Sequence, residues 1–143
     1  MMEKPFKEGP AKLGETPFST TTKGIRVRVY PSFNSEASKP SFGVFFYDYT
    51  IEITNLGAET AQLVGRHWII RDGLGGAEHV VGEGVVGEKP TLQPGESFTY
   101  RSGCPLKTPT GTMEGTYQMR LASGSVFEAL VGRFELKHAS LLN

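Results

Sequence analysis

The sequence predicts an all-β fold, an antiparallel β-sandwich of about seven strands with an immunoglobulin-like or fibronectin type III-like architecture. Two observations support this prediction. From Gly24 onwards, apolar and polar residues alternate in short segments that Gly, Pro, Asn and Asp separate, and helical periodicity is nearly absent. Without helices, a sheet buries its apolar face against a second sheet, so seven strands are enough for two packed sheets.

The chain length and the composition of its first part predict the domain organisation. A chain of 143 residues is typical of one domain with a single core. Residues 1–23 contain three prolines, interleaved Lys and Glu, and then a polar run, with no stable hydrophobic period. This composition predicts a flexible leader over residues 1–23 and a β-sandwich domain over residues 24–143.

The first two predicted strands show the alternation most clearly. In IRVRVY, Ile25, Val27 and Val29 fall on one face and two arginines on the other, because successive side chains of a strand point to opposite sides. The second strand, FGVFFYDYTIEIT, ends at a turn over residues 55–57. The apolar residues on one of its faces are Phe45, Tyr47, Tyr49, Ile51 and Ile53.

The remaining strands are predicted from the same pattern. The third covers about residues 61–71 and carries Trp68, which we expect to fill the core, and the fourth begins near Glu78 after the turn DGLGG. Three more cover about residues 97–103, 113–121 and 126–136. Aromatic residues at alternating positions are expected to pack inward rather than to stack on bases, and they are Tyr47, Tyr49, Phe98, Tyr100 and Tyr117.

The charge balance and the single cysteine limit the possible partners and locations. Because 15 Lys and Arg residues balance 15 Asp and Glu residues, the chain lacks the long-range attraction of basic proteins to nucleic acids and anionic membranes. No apolar run approaches the ~20 residues that cross a bilayer. Cys104 has no partner for an intrachain disulfide, and the first residues lack the apolar core of a signal peptide. We therefore expect a cytoplasmic protein with no nucleic-acid or membrane partner.

Residues 82–87 read GEGVVG, the G-x-G-x-x-G spacing of dinucleotide-binding proteins. In those proteins the motif ends a strand and begins a helix, whose N-terminal amides hold the pyrophosphate. No helix can begin after Gly87, because prolines and a Pro-Gly turn pair follow in EKPTLQPGES. Two interpretations stay open: Gly82, Gly84 and Gly87 provide positive φ angles or close backbone approach, or the bare amides bind an anion beside Lys89.

The common arrangements of catalytic residues are absent from the sequence. Ser102 lies in YRSGCP rather than G-x-S-x-G, and no strand-to-helix elbow is predicted that would expose it. Cys104 has no histidine or cation within a few residues that would lower its thiol pKa. The acidic residues interpreted as turn and loop charges rather than a glycosidase pair are Glu83, Glu88 and Glu96. We predict no catalytic residue, no cofactor and no enzymatic activity.

A histidine pair is the one arrangement that suggests a metal. If the DGLGG turn pairs the third and fourth strands with Arg71 opposite Ala77, His67 and His79 become diagonal neighbours on one face, about 7–8 Å apart at Cα. Glu83 lies on the same face in this register. A slip of one residue would move His79 to the other face. We interpret the pair as a cross-strand contact without a structural metal, with divalent metal ligation by these residues as the alternative.

Three strings carry a resemblance to a known family. RHWII, GEGVVGEKPTLQPGESFTYRSGCPL and TPTGTMEGTYQM follow one another at the spacing of the bacterial ApaG family, which the chain resembles from about Gly24 to Asn143. The resemblance implies a fibronectin type III-like sandwich and a domain that also occurs in certain F-box proteins as a protein-interaction module. It further implies a link to diadenosine tetraphosphate hydrolysis and to cobalt and magnesium tolerance, and it brings no established catalytic residues.

These observations lead to a hypothesis for the function. We expect a non-enzymatic interaction domain whose loops or exposed strand edges bind an unidentified protein, and an exposed edge would also allow a homodimer. The residues predicted for this surface are Gly82, Gly84, Gly87, Lys89, Arg66 and His67. The alternative is a binder of pyrophosphate-type anions, dinucleoside polyphosphates or a divalent metal at the Gly82–Gly87 loop.

Overall fold

The computed structural model describes the backbone of residues 2–5 and the backbone and side chains of residues 16–138. Within these ranges, ten strands and one short 3₁₀ helix follow one another along the chain. They are β1 Met2–Pro5, β2 Phe18–Thr22, β3 Ile25–Phe33, the 3₁₀ helix Pro40–Phe42, β4 Phe45–Asn55, β5 Ala61–Asp72, β6 Ala77–Glu83, β7 Thr91–Leu92, β8 Ser97–Leu106, β9 Gly111–Leu121 and β10 Val126–Leu136.

The strands form two antiparallel sheets that pack face to face. The first sheet has the order β1-β8-β4-β3-β2 and the second β10-β9-β5-β6, with β7 paired to one end of β5. This arrangement confirms the predicted all-β sandwich, and its cause is the alternation that gives each sheet one apolar face. The described part of the chain contains no helix that is long and apolar enough to span a membrane.

The aromatic side chains fill the space between the sheets, as their alternation predicts. Trp68, Tyr47, Tyr49, Tyr100 and Tyr117 are all fully buried. The Trp68 ring meets that of Tyr117 edge to face at 5.8 Å between ring centroids, a geometry that aromatic quadrupoles favour. The Tyr100 and Tyr117 hydroxyls hydrogen-bond to each other, so the two sheets are joined by a polar contact inside the core.

Seven of the strands, β3, β4, β5, β6, β8, β9 and β10, correspond to those predicted from the sequence. Three others were not predicted: β1, β2 and the two-residue β7. Strands β1 and β2 lie in the range predicted as a flexible leader, whose residues 1 and 6–15 lie outside the described residues. Because β2 and β3 form a hairpin, the predicted boundary at residue 24 falls within a pair of hydrogen-bonded strands.

The two long sides of the sandwich differ in how they are closed. On one side, the Thr20 and Thr22 hydroxyls of β2 accept hydrogen bonds from the Gly132 and Leu130 amides of β10, each at 3.0 Å. These contacts link the edge strands of the two sheets. On the other side, β6 ends the second sheet, and β5 is its only ladder partner among the described strands. The structure therefore presents β6 as an open edge.

Candidate functional site

The register of β5 and β6 places the two histidines side by side. Arg71 lies opposite Ala77, so the register assumed from the DGLGG turn is confirmed. His67 Nε2 lies 2.9 Å from His79 Nδ1, and the two rings are 5.2 Å apart between centroids. No group of three or more His, Cys, Asp or Glu side chains within residues 16–138 is placed to hold a metal ion. The site therefore offers two adjacent imidazoles to a metal.

The glycine motif forms a tight turn after β6. Val85 and Glu88 exchange two backbone hydrogen bonds of 2.8 Å, and the two residues between them, Val86 and Gly87, have φ values of 44° and 78°. Positive φ at both central positions is typical of a type I′ turn, the turn that fits the twist of paired strands. Val85 is fully buried and Val86 packs against the core, so two valines anchor the turn.

Gly84 is required by both its conformation and its surroundings. Its φ is 58°, and a Cβ at this position would lie 2.2 Å from the Glu88 carbonyl oxygen. Gly82 differs, because it lies within β6 and its φ is not in the positive range. The space above Gly82 is filled by Arg66, whose Nη1 would lie 2.9 Å from an added Cβ. Gly84 and Gly87 thus fit the first interpretation, whereas the close neighbour of Gly82 is the Arg66 side chain rather than backbone.

Two amides of the glycine motif and the amide of the following Glu88 already donate hydrogen bonds within the protein. The Gly84 amide donates to the Val64 carbonyl at 3.1 Å. The Val85 amide donates to the Glu88 carbonyl, and the Glu88 amide donates to the Val85 carbonyl. A backbone concavity that binds an anion needs successive amides that point into the same open space. The alternative of an anion site in this loop therefore lacks these three donors, and it stays a prediction.

The Arg66 side chain of β5 hydrogen-bonds to the turn that follows β6. Its Nη1 donates to the Glu83 carbonyl at 3.0 Å and to the Gly84 carbonyl at 2.8 Å. Hydrogen bonds from a charged donor are roughly twice as strong as neutral ones, so this contact stabilises the end of β6. Lys89 follows the turn, with Nζ 3.4 Å from a Glu83 carboxylate oxygen, and this ion pair is exposed.

The predicted binding surface divides into two groups of residues. Arg66 contacts the glycine turn, whereas the neighbouring His67 contacts His79. Consecutive side chains of β5 point to opposite faces of the sheet, so these two residues do not share one surface. The structure therefore brings Gly82, Gly84 and Arg66 together, with Gly87 and Lys89 in the same turn region, and places His67 apart from them.

The nucleophiles considered in the sequence are buried. Cys104 is 2% exposed, and burial raises the pKa of its thiol to about 12. Its Sγ lies 4.0 Å from Met113 Sδ. Ser102 is also buried, on the neighbouring part of β8. A thiol with so high a pKa forms almost no thiolate near neutral pH, so Cys104 is not an activated nucleophile.

The sequence did not reveal which backbone groups of β6 are open. At the two ends of the β5–β6 ladder, the Asp72 amide donates to the Gly76 carbonyl and the Gly84 amide to the Val64 carbonyl, both at 3.1 Å. Along an antiparallel ladder, every second pair of opposite residues is hydrogen-bonded. Even-numbered residues of β6 therefore bond to β5. The residues whose N–H and C=O groups both point away from β5 are Ala77, His79 and Val81. Glu83 follows in the same orientation, but its carbonyl accepts a hydrogen bond from Arg66. Val81, an apolar residue of this edge, is 75% exposed.

An ion cluster lies next to this region on the outer face of the second sheet. Glu114 of β9 accepts hydrogen bonds from Arg71 of β5 at 2.6 Å and from Arg133 of β10 at 3.0 Å. The hydrogen bonds from Arg133 and Arg71 lower the pKa of the Glu114 carboxyl below its ordinary value. This cluster joins three strands and is a structural feature of the sheet.

Comparisons with known proteins identify relatives over most of the chain. The family model for the ApaG domain matches residues 35–121. Protein ApaG from Methylobacterium sp. (strain 4-46) is 53% identical over 119 residues, which are 83% of this chain and 92% of that protein. Protein ApaG from Bradyrhizobium sp. (strain ORS 278) is 51% identical over the same shares of both chains.

Solved structures give the same result. The crystal structure of the putative ApaA protein from Bordetella pertussis superposes with a TM-score of 0.79 at 46% identity, covering 80% of this chain and 94% of that one. The C-terminal domain of wzt has a TM-score of 0.51 at 10% identity over 85% of this chain and 77% of that domain, a likeness of fold alone. The family match spans more than half of the chain and the relatives are about half identical, so the chain belongs to the ApaG family.

Proposed function

We propose that this chain is a non-enzymatic protein-interaction domain whose docking surface is the outer edge of β6. The observation that carries the proposal is the row of outward-pointing N–H and C=O groups of Ala77, His79 and Val81 at the end of the second sheet. Such a row accepts an extended segment of another chain as an added strand, with main-chain hydrogen bonds that supply affinity.

The side chains of β6 suit selective docking. Val81 offers an exposed apolar side chain on the outer face, and Val80 packs partly against the core on the inner face. Glu78, His79 and Glu83 place polar or ionisable groups along the same edge. Charged residues on an edge strand oppose indiscriminate pairing, so a partner must match this pattern to bind.

The turn after β6 holds the edge in place before a partner arrives. Arg66 fastens the Glu83 and Gly84 carbonyls, and Val85 is fully buried beneath the turn. A preorganised surface loses less conformational entropy on binding. The burial of Cys104 and Ser102 further favours a binding role over a catalytic one. The family resemblance to interaction modules agrees with this proposal.

Affinity capture from a cell lysate tests the edge directly, with wild type, Val81→Pro and Val81→Thr as baits. The Val81 N–H points away from β5, so proline blocks an added strand without removing a bond to β5. Threonine keeps the β-branched shape and the N–H. We expect a specific partner with wild type and threonine and its loss with proline. Equal retention by all three baits, or by none, contradicts the proposal.

A second candidate function is weak binding of a divalent cation at the histidine pair. His67 Nε2 and His79 Nδ1 are 2.9 Å apart. Two ligands about 2.1 Å from one ion and at right angles to each other have about this separation, and imidazole suits first-row transition metals. Water would supply the remaining ligands. The cobalt tolerance that the family resemblance implies makes Co²⁺ the ion to test first.

A thermal-shift panel separates this candidate from the anion alternative. Co²⁺, Mg²⁺, pyrophosphate and diadenosine tetraphosphate are added at millimolar concentration to wild type, His79→Ala and, as a control, His138→Ala. We expect Co²⁺ to raise the melting temperature of wild type and His138→Ala but not of His79→Ala, because a ligand that binds the native state stabilises it. No shift with any of the four compounds would sink both ligand hypotheses.

A further inference from the structure

We propose that a second copy of this chain docks on the β6 edge, so that two β6 strands pair antiparallel about a two-fold axis at Val80. This inference rests on the proposed function, because it uses the same edge. Pairing of this kind is isologous: one surface contacts the same surface of the other copy. It covers the β6 edges of both copies with one symmetric contact.

The register follows from the length of β6 and the direction of its backbone groups. The strand runs from Ala77 to Glu83, and its midpoint is Val80. An axis at this midpoint pairs all seven residues, and a shift along the strand leaves residues at both ends unpaired. His79 then lies opposite the partner's Val81. Both residues direct their backbone groups outward, so they form hydrogen-bonded pairs across the axis.

The inner-face side chains are complementary in this register. Val80 meets the partner's Val80 and extends the apolar contact across the axis. Glu78 lies opposite the partner's Gly82, and the guanidinium group of Arg66 covers this glycine, within 2.9 Å of where a Cβ would be. Glu78 forms no ion pair among the described residues of its own chain. The dimer thus gains two Glu78 to Arg66 charge pairs.

The outer face adds apolar burial. Val81, 75% exposed in the single chain, is covered by the partner's His79 ring. Ala77 lies opposite the partner's Glu83, which leaves that carboxylate beside Lys89 at the rim. One pair of seven-residue strands buries less area than a stable dimer interface needs, so the dimer is transient, with a Kd on the order of 0.1 mM.

Sedimentation equilibrium of the full chain over a range of concentrations measures the association. The variants are Val81→Pro, which blocks the edge, and Glu78→Lys, which places a cation opposite Arg66. Glu36→Lys is the matched control, because Glu36 is exposed, lies far from β6 in the sequence and gives the same change in net charge. We expect Val81→Pro and Glu78→Lys to weaken association about tenfold or more and Glu36→Lys to leave it near wild type.

Cysteine cross-linking tests the register. The two Val80 residues face each other as a pair without direct hydrogen bonds, with Cα atoms about 4.5 Å apart, within the range for a disulfide. We expect Val80→Cys to form a covalent dimer with oxidised glutathione faster than Leu74→Cys, an exposed control position on the preceding turn. Wild type, whose thiol is buried, remains monomeric on a non-reducing gel.

Three results would overturn the dimer: a wild-type chain that stays monomeric at about 1 mM, well above the expected Kd, equal effects of Glu78→Lys and Glu36→Lys, or equal cross-linking at positions 80 and 74. The capture experiment keeps the two proposals distinguishable. If the wild type is monomeric but Val81→Pro still loses a lysate partner, the dimer is wrong and the edge remains the docking surface. If neither experiment depends on Val81, both proposals fail.

Discussion

Gly84 and Gly87 serve the same turn but differ in what surrounds them. Both have positive φ, at 58° and 78°, a region that L residues adopt at a cost of about 1–2 kcal/mol. An added Cβ at Gly87 meets nothing within 4 Å, whereas at Gly84 it meets the Glu88 carbonyl at 2.2 Å. The two glycines therefore separate the cost of the backbone conformation from the cost of the clash.

We predict that Gly84→Ala lowers the free energy of unfolding by about 3 kcal/mol or more and Gly87→Ala by about 1 kcal/mol. The extra loss at Gly84 comes from displacing the Glu88 carbonyl, which breaks the paired hydrogen bonds of the turn. Urea unfolding followed by Trp68 fluorescence measures both. Equal losses for the two variants would show that the turn relaxes around the new methyl group.

Arg66 and His67 allow a test of the division between the two faces of β5. We predict that Arg66→Met speeds hydrogen exchange at the Val85 and Glu88 amides about tenfold, because two charge-assisted bonds to the turn are lost. His67→Gln should leave these amides unchanged, since its contact is with His79 on the other face. Two-dimensional NMR measures the exchange rate of each amide. Equal effects of both substitutions would contradict the placement of Arg66 and His67 on opposite faces of β5.

Among the elements, β2 is a strand that the sequence pattern does not predict. Its residues, FSTTT, are mostly polar and exposed, so no hydrophobic alternation identifies them as a strand. Their pairing depends on β3 and on the threonine contacts with β10, which are distant in sequence. The strands with apolar faces were predictable because their periodicity is local, and the β5–β6 register was predictable because a short turn sets it.

The role of β2 leads to a prediction about the domain boundary. A chain that begins at residue 24 loses β2, which uncovers the edge of β3 and leaves the Leu130 and Gly132 amides without their threonine acceptors. We expect its free energy of unfolding to be about 2 kcal/mol lower than that of a chain that begins at residue 16. Its unfolding midpoint in urea should be lower accordingly. Both variants lack β1, so their difference reports on β2. Equal midpoints would support the boundary predicted from the sequence.

The candidate site was predictable only in part. The histidine pair followed from the turn and the alternation of β5 and β6, and the structure places the two rings in contact. The role of Arg66 was not visible, because it depends on the absence of a side chain at Gly82. The open edge was not visible either, since strand order in a sheet depends on pairings between distant parts of the chain.

At the scale of the whole molecule, Cys104 reports on opening of the sandwich. Its thiol lies between the sheets, so a reagent reaches it only when they separate. We predict that modification by Ellman's reagent at pH 8 is slow in the native protein and becomes complete within seconds in denaturing urea. A rate that stays high in the native protein would mean that local motion exposes β8. Cys104→Ser provides the background rate.

The same thiol gives the native state a pH dependence. Burial raises the folded pKa of Cys104 from 9.0 to about 12, so the unfolded chain loses its proton first as pH rises. The contribution of this group to stability is therefore complete below pH 9 and decreases between about pH 9 and 12. Cys104→Ser should show a smaller decrease in this range. Identical alkaline profiles for the two proteins would contradict the assignment.

The central pairings of both sheets join parts of the chain that are far apart. In the first sheet Ile51 lies opposite Tyr100, and in the second Trp68 lies opposite Gly115. Each sheet therefore forms only after residues about fifty positions apart in the chain have come together. A topology dominated by such distant pairs folds in milliseconds to seconds rather than microseconds. During that time, newly synthesised chains carry unpaired strands, so molecular chaperones that bind extended segments have an opportunity to act before the sandwich closes.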